Sequence, residues 1–230
     1  MRTTFDQQLD KLKEELTKMG ALCEQGITAA IAGLMTGDGE KAREAIAIDA
    51  EIDRMEREIE DDCLRLLLRQ QPVARDLRQI SAALKMITDM ERIGDQTTDI
   101  SEIVLQLIGT GYTERLEHLG EMAKATAKMV TGSVDAFVQQ DLALAKRVVE
   151  YDDVVDDLFC QSRANLIEDI RRDSGCGEEA IDFLMVAKYF ERIGDHATNI
   201  AEWVAFSITG RHGFGQEDGD GTDLRDDSEK

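Results

Sequence analysis

Five residues, Glu91-Arg92-Ile93-Gly94-Asp95, recur unchanged as Glu191-Arg192-Ile193-Gly194-Asp195. If both stretches are helical, their carboxylates align. Each helical residue turns by about 100°, so with Glu91 at zero, Asp95 lies near roughly 40°, Asp99 near 80° and Glu102 near 20°. Glu191, Asp195, Asn199 and Glu202 repeat the arrangement. Ile80, Leu84 and Ile87 share the first stripe and Leu184 the second, so the acids continue a face that begins as core. Asp49 and Asp53 stand four apart in the preceding stretch, as do Asp152 and Asp156. Packing the second helix of each set on the third would set an Asp-x-x-x-Asp against a Glu-x-x-x-Asp.

Three chemistries are open to such stripes. They bind a cation, they form a solvated acidic face, or they take part in catalysis. On a solvated face Arg92 would pair with Asp95 and Arg192 with Asp195, each pair contributing about 0.2–0.5 kcal/mol. The donors are oxygens, apart from His196 beside the second copy, and such sites suit Mg²⁺, Mn²⁺, Ca²⁺ or oxidised iron. The Glu-x-x-His of ferritin-like di-iron enzymes is missing: Arg115, Ile193 and Thr209 stand three before the histidines. No P-loop, G-x-S-x-G or H-E-x-x-H occurs. Gly94 and Gly194 would sit mid-helix, where glycine costs about 1 kcal/mol against alanine, and a close helix approach or crowded site would justify them.

Long helices are what must position these residues. Phe5, Leu9, Leu12, Leu16, Met19 and Cys23 step by three and four, and Ile27, Ile31 and Leu34 continue the face. The T-G-D-G at 36–39 breaks it. A second helix carries Ile48, Ile52, Met55, Ile59 and Leu66 and stops before Pro72, the one proline. A third is predicted over about 73–108, ending at G-T-G, 109–111. The plan repeats over about 113–139, 141–173 and 178–209, with a turn at 173–177. Aligning 91–104 with 191–204 gives nine identities in fourteen positions, which implies a duplicated three-helix unit. The predicted fold class is therefore all-α, two tandem homologous three-helix bundles of six long antiparallel helices. Thirty-residue helices span about 45 Å, so an elongated molecule is expected. The expected units are 1–110, 111–210 and an acidic tail, 211–230.

Composition fits this plan. Of 230 residues 42% are hydrophobic and 5% aromatic. The net charge of −21 argues against nucleic-acid partners and anionic membrane surfaces. No signal-peptide core or membrane-length apolar run is read, which points to the cytoplasm without membrane insertion. Cys23, Cys63, Cys160 and Cys176 form no C-x-x-C pair and are expected to be reduced and mostly buried. Residues 215–230 hold seven acids, two bases and one apolar residue, Leu224, and are expected to be disordered. Asp218, Asp220, Thr222 and Glu229 fall at EF-hand positions, but Asp223 stands where that loop needs glycine.

The doubled E-R-I-G-D, the D-Q-T-T-D-I and D-H-A-T-N-I-A-E-W-V that continue it, and Q-Q-P-V-A-R-D-L-R at 70–78 resemble the PhoU family of phosphate-specific transport system accessory proteins. The resemblance covers about 5–210. It implies two three-helix bundles and a cytoplasmic, often dimeric regulator that is not an enzyme. Such a regulator restrains the phosphate-starvation response by acting between the phosphate ABC importer, through its ATP-binding subunit, and a sensor histidine kinase. It also implies multinuclear metal sites, mapping onto Asp49, Asp53, Glu91, Asp95, Asp152, Asp156, Glu191 and Asp195, with Asp99 and Asn199 in the motif's extension. Iron, manganese, magnesium and zinc are the candidate ions. Asparagine is the weaker ligand, so the copies need not match. An accessory role to another phosphate transporter and a carboxylate-bridged metalloenzyme are the alternatives.

Overall fold

The computed structural model describes residues 2–70, 72–108 and 116–214, with the backbone alone at 2–4 and 69–70. Among the described residues there are six α-helices: α1 (Arg2–Thr36), α2 (Gly39–Gln70), α3 (Ala74–Leu107), α4 (Glu117–Gln139), α5 (Leu142–Arg172) and α6 (Gly177–Thr209). One 3₁₀ turn, Ser174–Cys176, joins α5 to α6, and no strand occurs among the described residues. The G-T-G stop at 109–111, the expected start of α4 at 113–115 and the tail at 215–230 lie outside the described residues.

Local chemistry sets the connections. Gly37 takes a left-handed φ of +66° that ends α1, and Asp38 Oδ1 accepts the Glu40 N–H at 2.9 Å to start α2. In the second half Gln140 takes the left-handed turn at φ 53°, and Asp141 Oδ1 accepts the Leu144 N–H at 2.9 Å. A two-residue turn thus reverses the chain in each half. Pro72 stands between α2 and α3, as its effect on the preceding residue predicts.

Within the first half α1 packs on α2 and α3, and α2 on α3; in the second, α4 packs on α5 and α6, and α5 on α6. The halves join through α3 against α6 and α1 against α4, leaving α2 and α5 on the flanks. One apolar core runs through all six helices, from Leu16, Met19 and Ile52 through Met86 and Ile93 to Phe137, Val155, Phe190 and Ile193. The faces read from periodicity are buried: Leu12, Leu16, Met19, Cys23, Ile27, Ile52 and Ile59 are at most 2% exposed. No helix among the described residues is long and apolar enough to cross a membrane.

The cysteines depart from the expectation of mostly buried thiols. All four are free, but only Cys23 and Cys63 are buried; Cys160 is exposed and Cys176 partly so. Cys160 lies on α5, which buries only Ala145, Val148, Val155 and Ser162 because it has no second neighbour on its outer side.

Candidate functional site

The seam between α2 and α3 gathers the first acidic set. Ile80 and Ile87 on α3 are fully or almost fully buried, and the stripe they begin reaches Glu91, Asp95 and Asp99, all half-buried. Across the seam α2 presents Asp49 and Asp53. Gly94 makes this possible: a β-carbon there would collide with Asp49 Oδ1 and come within 3.2 Å of Ile52. The mid-helix glycine thus marks a close helix approach.

Asp49 is the best-defined member. Its Oδ2 accepts the Thr98 hydroxyl at 3.0 Å, while its Oδ1 is buried without a hydrogen-bond partner among the described residues. Burial raises its pKa and the charges of Asp53, Asp95 and Asp99 add to the rise, while the Thr98 bond opposes it. Glu91 is raised by burial and by Asp95. Asp99 is raised by burial, Glu102 and Asp95, opposed by a hydrogen bond from Tyr189 on α6. Glu56, one turn beyond Asp53, faces the same field and is raised by burial and by Glu60 and Asp53. Arg92 partly offsets this charge, 3.2 Å from Asp95 and 3.5 Å from Glu91.

The α5–α6 seam repeats the design with different partners. A β-carbon on Gly194 would lie 3.0 Å from Asp152 Oδ1. Asp152 is raised to about 6 by burial and by Asp195, Asp156 and Glu191, with no hydroxyl to oppose the rise. Thr198, the counterpart of Thr98, has a buried hydroxyl with no hydrogen-bond partner among the described residues. Asp195 is raised by burial and Glu191. Lys188 forms an ion pair with Glu191 and lies over the Phe159 ring, 5.5 Å from its centroid.

Asn199 takes a different place. Its Nδ2 donates to Asp89 Oδ1 of α3 at 3.2 Å, and His196 Nδ1 lies 2.9 Å from that same oxygen. The reciprocal contact is Asp99 with Tyr189. Residues 89 and 189 thus each meet position 99 or 199 of the other half, so α3 and α6 run antiparallel about a pseudo-twofold axis. Asp99 and Asn199 sit at the junction of the halves, whereas Asp49, Asp53, Glu91 and Asp95 share one seam and Asp152, Asp156, Glu191 and Asp195 the other. Asp89, Thr98, Tyr189 and Glu56 escape a search for acids at motif spacing. Thr98 and Thr198 are nonetheless among the nine identities of the repeat, which is the signal that could have found the first.

The seams fit a hard cation in donor type: oxygen-rich, crowded with like charge, and with one buried carboxylate oxygen lacking any donor. Among the described residues no three His, Cys, Asp or Glu side chains already stand close enough together to hold an ion. An ion would therefore need these side chains to draw closer together.

A family model described as PhoU domain matches residues 16–104 and again 119–204. The chain is 36% identical over 211 residues to a Clostridium acetobutylicum protein named phosphate-specific transport system accessory protein PhoU homolog, covering 91% of this chain and 96% of that one. It is 34% identical over 210 residues to the Pseudomonas aeruginosa protein of the same name, covering 90% and 86%. The crystal structure of PhoU from Pseudomonas aeruginosa superposes with a TM-score of 0.85 at 33% identity, covering 90% of this chain and all of that one. The phosphate transport system regulatory protein PhoU from Streptococcus pneumoniae superposes at 0.83 with 27% identity, covering 91% and 99%.

Proposed function

The chain belongs to the PhoU family, and on that premise we propose that it serves a phosphate transport system as a regulator rather than as an enzyme. In this reading it acts in the cytoplasm as a homodimer. It reports the state of a phosphate ABC importer, through the ATP-binding subunit, to a sensor histidine kinase, and so holds the phosphate-starvation response off. The observation that carries the reading is the match along about nine-tenths of the chain to proteins named for that accessory role.

The seams belong to the same proposal. Asp49, Asp53, Glu91 and Asp95, with Asp99 at the edge, would hold one hard cation or cluster. Asp152, Asp156, Glu191 and Asp195 would hold the other, with Asn199 tied to Asp89 at its edge. A bound cation supplies positive charge that offsets the carboxylate repulsion and ties the flanking helix to the central one. The chain's own part is to keep the acids in register: Gly94 and Gly194 admit the neighbouring carboxylate, and Thr98 orients Asp49. Arg92 competes for Asp95 and Glu91 in the first seam and Lys188 for Glu191 in the second, and Asn199 is neutral where Asp99 is charged, so the two seams should differ in affinity.

The test is genetic. A strain lacking the protein, grown in phosphate-rich medium with a phosphate-starvation reporter, should show derepression that the intact gene reverses. A reporter that stays fully repressed overturns the regulatory reading.

A further inference from the structure

The duplicated halves part ways where the first helix of each meets the second. In the second half α4 and α5 leave a cavity of about 400 Å³ between them, open to solvent. Gly132 brings the two helices together there: a β-carbon on it would lie 3.0 Å from Val148 Cγ2. Leu144, Val148 and the Tyr151 ring give the cavity an apolar wall, and Lys128 and Arg147 line it with positive charge. Lys128 Nζ lies over the Tyr151 ring, 4.0 Å from its centroid. Arg147 precedes Tyr151 by one turn of α5 and shares its face. Neither cation forms an ion pair with a described residue, although acids outnumber bases 48 to 27 in the chain. Glu150, which also lines the cavity, is matched by Lys146 at 3.5 Å.

The first half supplies a control within the same molecule. Positions 103 apart correspond, as Gly37 does to Gln140, Asp38 to Asp141 and Asp49 to Asp152. The corresponding groove, between α1 and α2, has a volume of about 340 Å³. There Gln25 takes the place of Lys128, Ala29 that of Gly132, Glu44 that of Arg147 and Lys41 that of Leu144. Lys41 and Glu44 pair with each other at 2.7 Å, so that groove neutralises itself. One place in the repeat thus carries a self-matched pair in one half and two unmatched cations beside an apolar wall in the other. Both arrangements join their helices, so packing does not call for the cations.

We infer that the α4–α5 cavity binds a phosphate monoester with a flat organic body, of the nucleoside monophosphate type. Lys128 and Arg147 would hold the phosphoryl group, whose charge of about −1.5 to −2 at pH 7 matches two cations. The guanidinium offers a planar fork to two phosphate oxygens and the ammonium a point charge. The body would lie on Leu144, Val148 and the Tyr151 ring. An apolar wall with a few polar groups at one end is the usual make-up of a small-molecule site, and the volume falls in the usual range of about 300–1,000 Å³.

The test titrates the purified full chain with adenosine 5′-monophosphate by calorimetry and maps the contact by amide chemical shifts. Its outcome is separate from that of the reporter strain. One molecule should bind with a Kd below about 1 mM, and adenosine and inorganic phosphate, which each keep half of the contacts, at least about tenfold more weakly. Shifts should centre on Gly132 and Val148 and spare Ala29 and Ala45, their counterparts in the first half. Lys128→Gln with Arg147→Glu installs the first half's residues at exposed positions. It should keep the Tm and weaken binding at least about tenfold. Lys85→Gln with Arg163→Glu makes the same change in net charge away from the cavity and should leave the affinity unaltered. No saturable binding up to about 10 mM overturns the inference. So does inorganic phosphate binding as tightly as the nucleotide, shifts of equal size at Ala29 and Ala45, or equal losses in the two double variants.

Discussion

Gly94 on α3 faces Asp49 on α2 so closely that a β-carbon at 94 would collide with Asp49 Oδ1. The same pairing in the second half, Gly194 with Asp152, leaves 3.0 Å. Gly94→Ala should therefore push Asp49 from its place and break its bond to Thr98. Alanine improves helix propensity by about 1 kcal/mol, so the net change in stability should be small while the seam is damaged. The expected result is weakened cation binding by titration calorimetry with little change in Tm. Gly194→Ala should cost less, and equal effects at both sites would contradict the geometry.

Asp152 predicts a pH dependence with a definite sign. Its pKa rises on folding from an ordinary 3.8 to about 6, because burial and the neighbouring carboxylates Asp195, Asp156, Glu191 and Asp153 disfavour its charge. The protonated form is favoured in the fold, so its contribution is fully present below pH 3.8 and is lost as pH rises through about 6. With metal removed by a chelator, the Tm of the native chain should fall between those values relative to that of Asp152→Asn. Parallel pH profiles of the two proteins would refute the shift.

Asp95→Asn and Asp195→Asn separate a metal seam from a solvated acidic face. Asp95 is 41% exposed and touches Arg92, so on a solvated face its loss changes stability by less than about 0.5 kcal/mol. If the seams hold cations, metal content by elemental analysis should drop in the double variant. The rise in Tm on adding metal should shrink with it, since an ion at a hundredfold its Kd stabilises by about 2.7 kcal/mol. Unchanged metal content with equal or higher Tm removes the assignment and leaves the regulatory role untouched.

Cysteine reactivity checks the packing. Cys23 and Cys63 are pushed up to about 12, chiefly by burial, and are closed to solvent. At pH 8 a thiol reagent should modify Cys160 quickly and Cys176 next, and reach the other two only on unfolding. Mass spectrometry of the modified peptides reads the order. Early labelling of Cys23 would mean that α1 opens locally.

Much of this molecule follows from residue order. The six helices are written in apolar steps of three and four, and their ends in Gly37, Pro72, Asp141 and Gly210. The acid stripes follow as well, because a helix converts a spacing of four into a shared direction. The repeat of Glu91–Asp95 at Glu191–Asp195 fixes the internal symmetry without any coordinates. What spacing cannot give is which stripe faces which neighbour. Asp99 and Asn199 continue their stripes equally well by angle, yet they lie where α3 crosses α6, one beside Tyr189 and the other on Asp89. Thr98 reaches Asp49 while Thr198 finds no partner among the described residues, although both occupy the same position in the repeat. Helical geometry is local and repeats with the sequence, whereas a hydrogen bond across a seam depends on the approach of two helices to within tenths of an ångström, which the packing of the whole core decides.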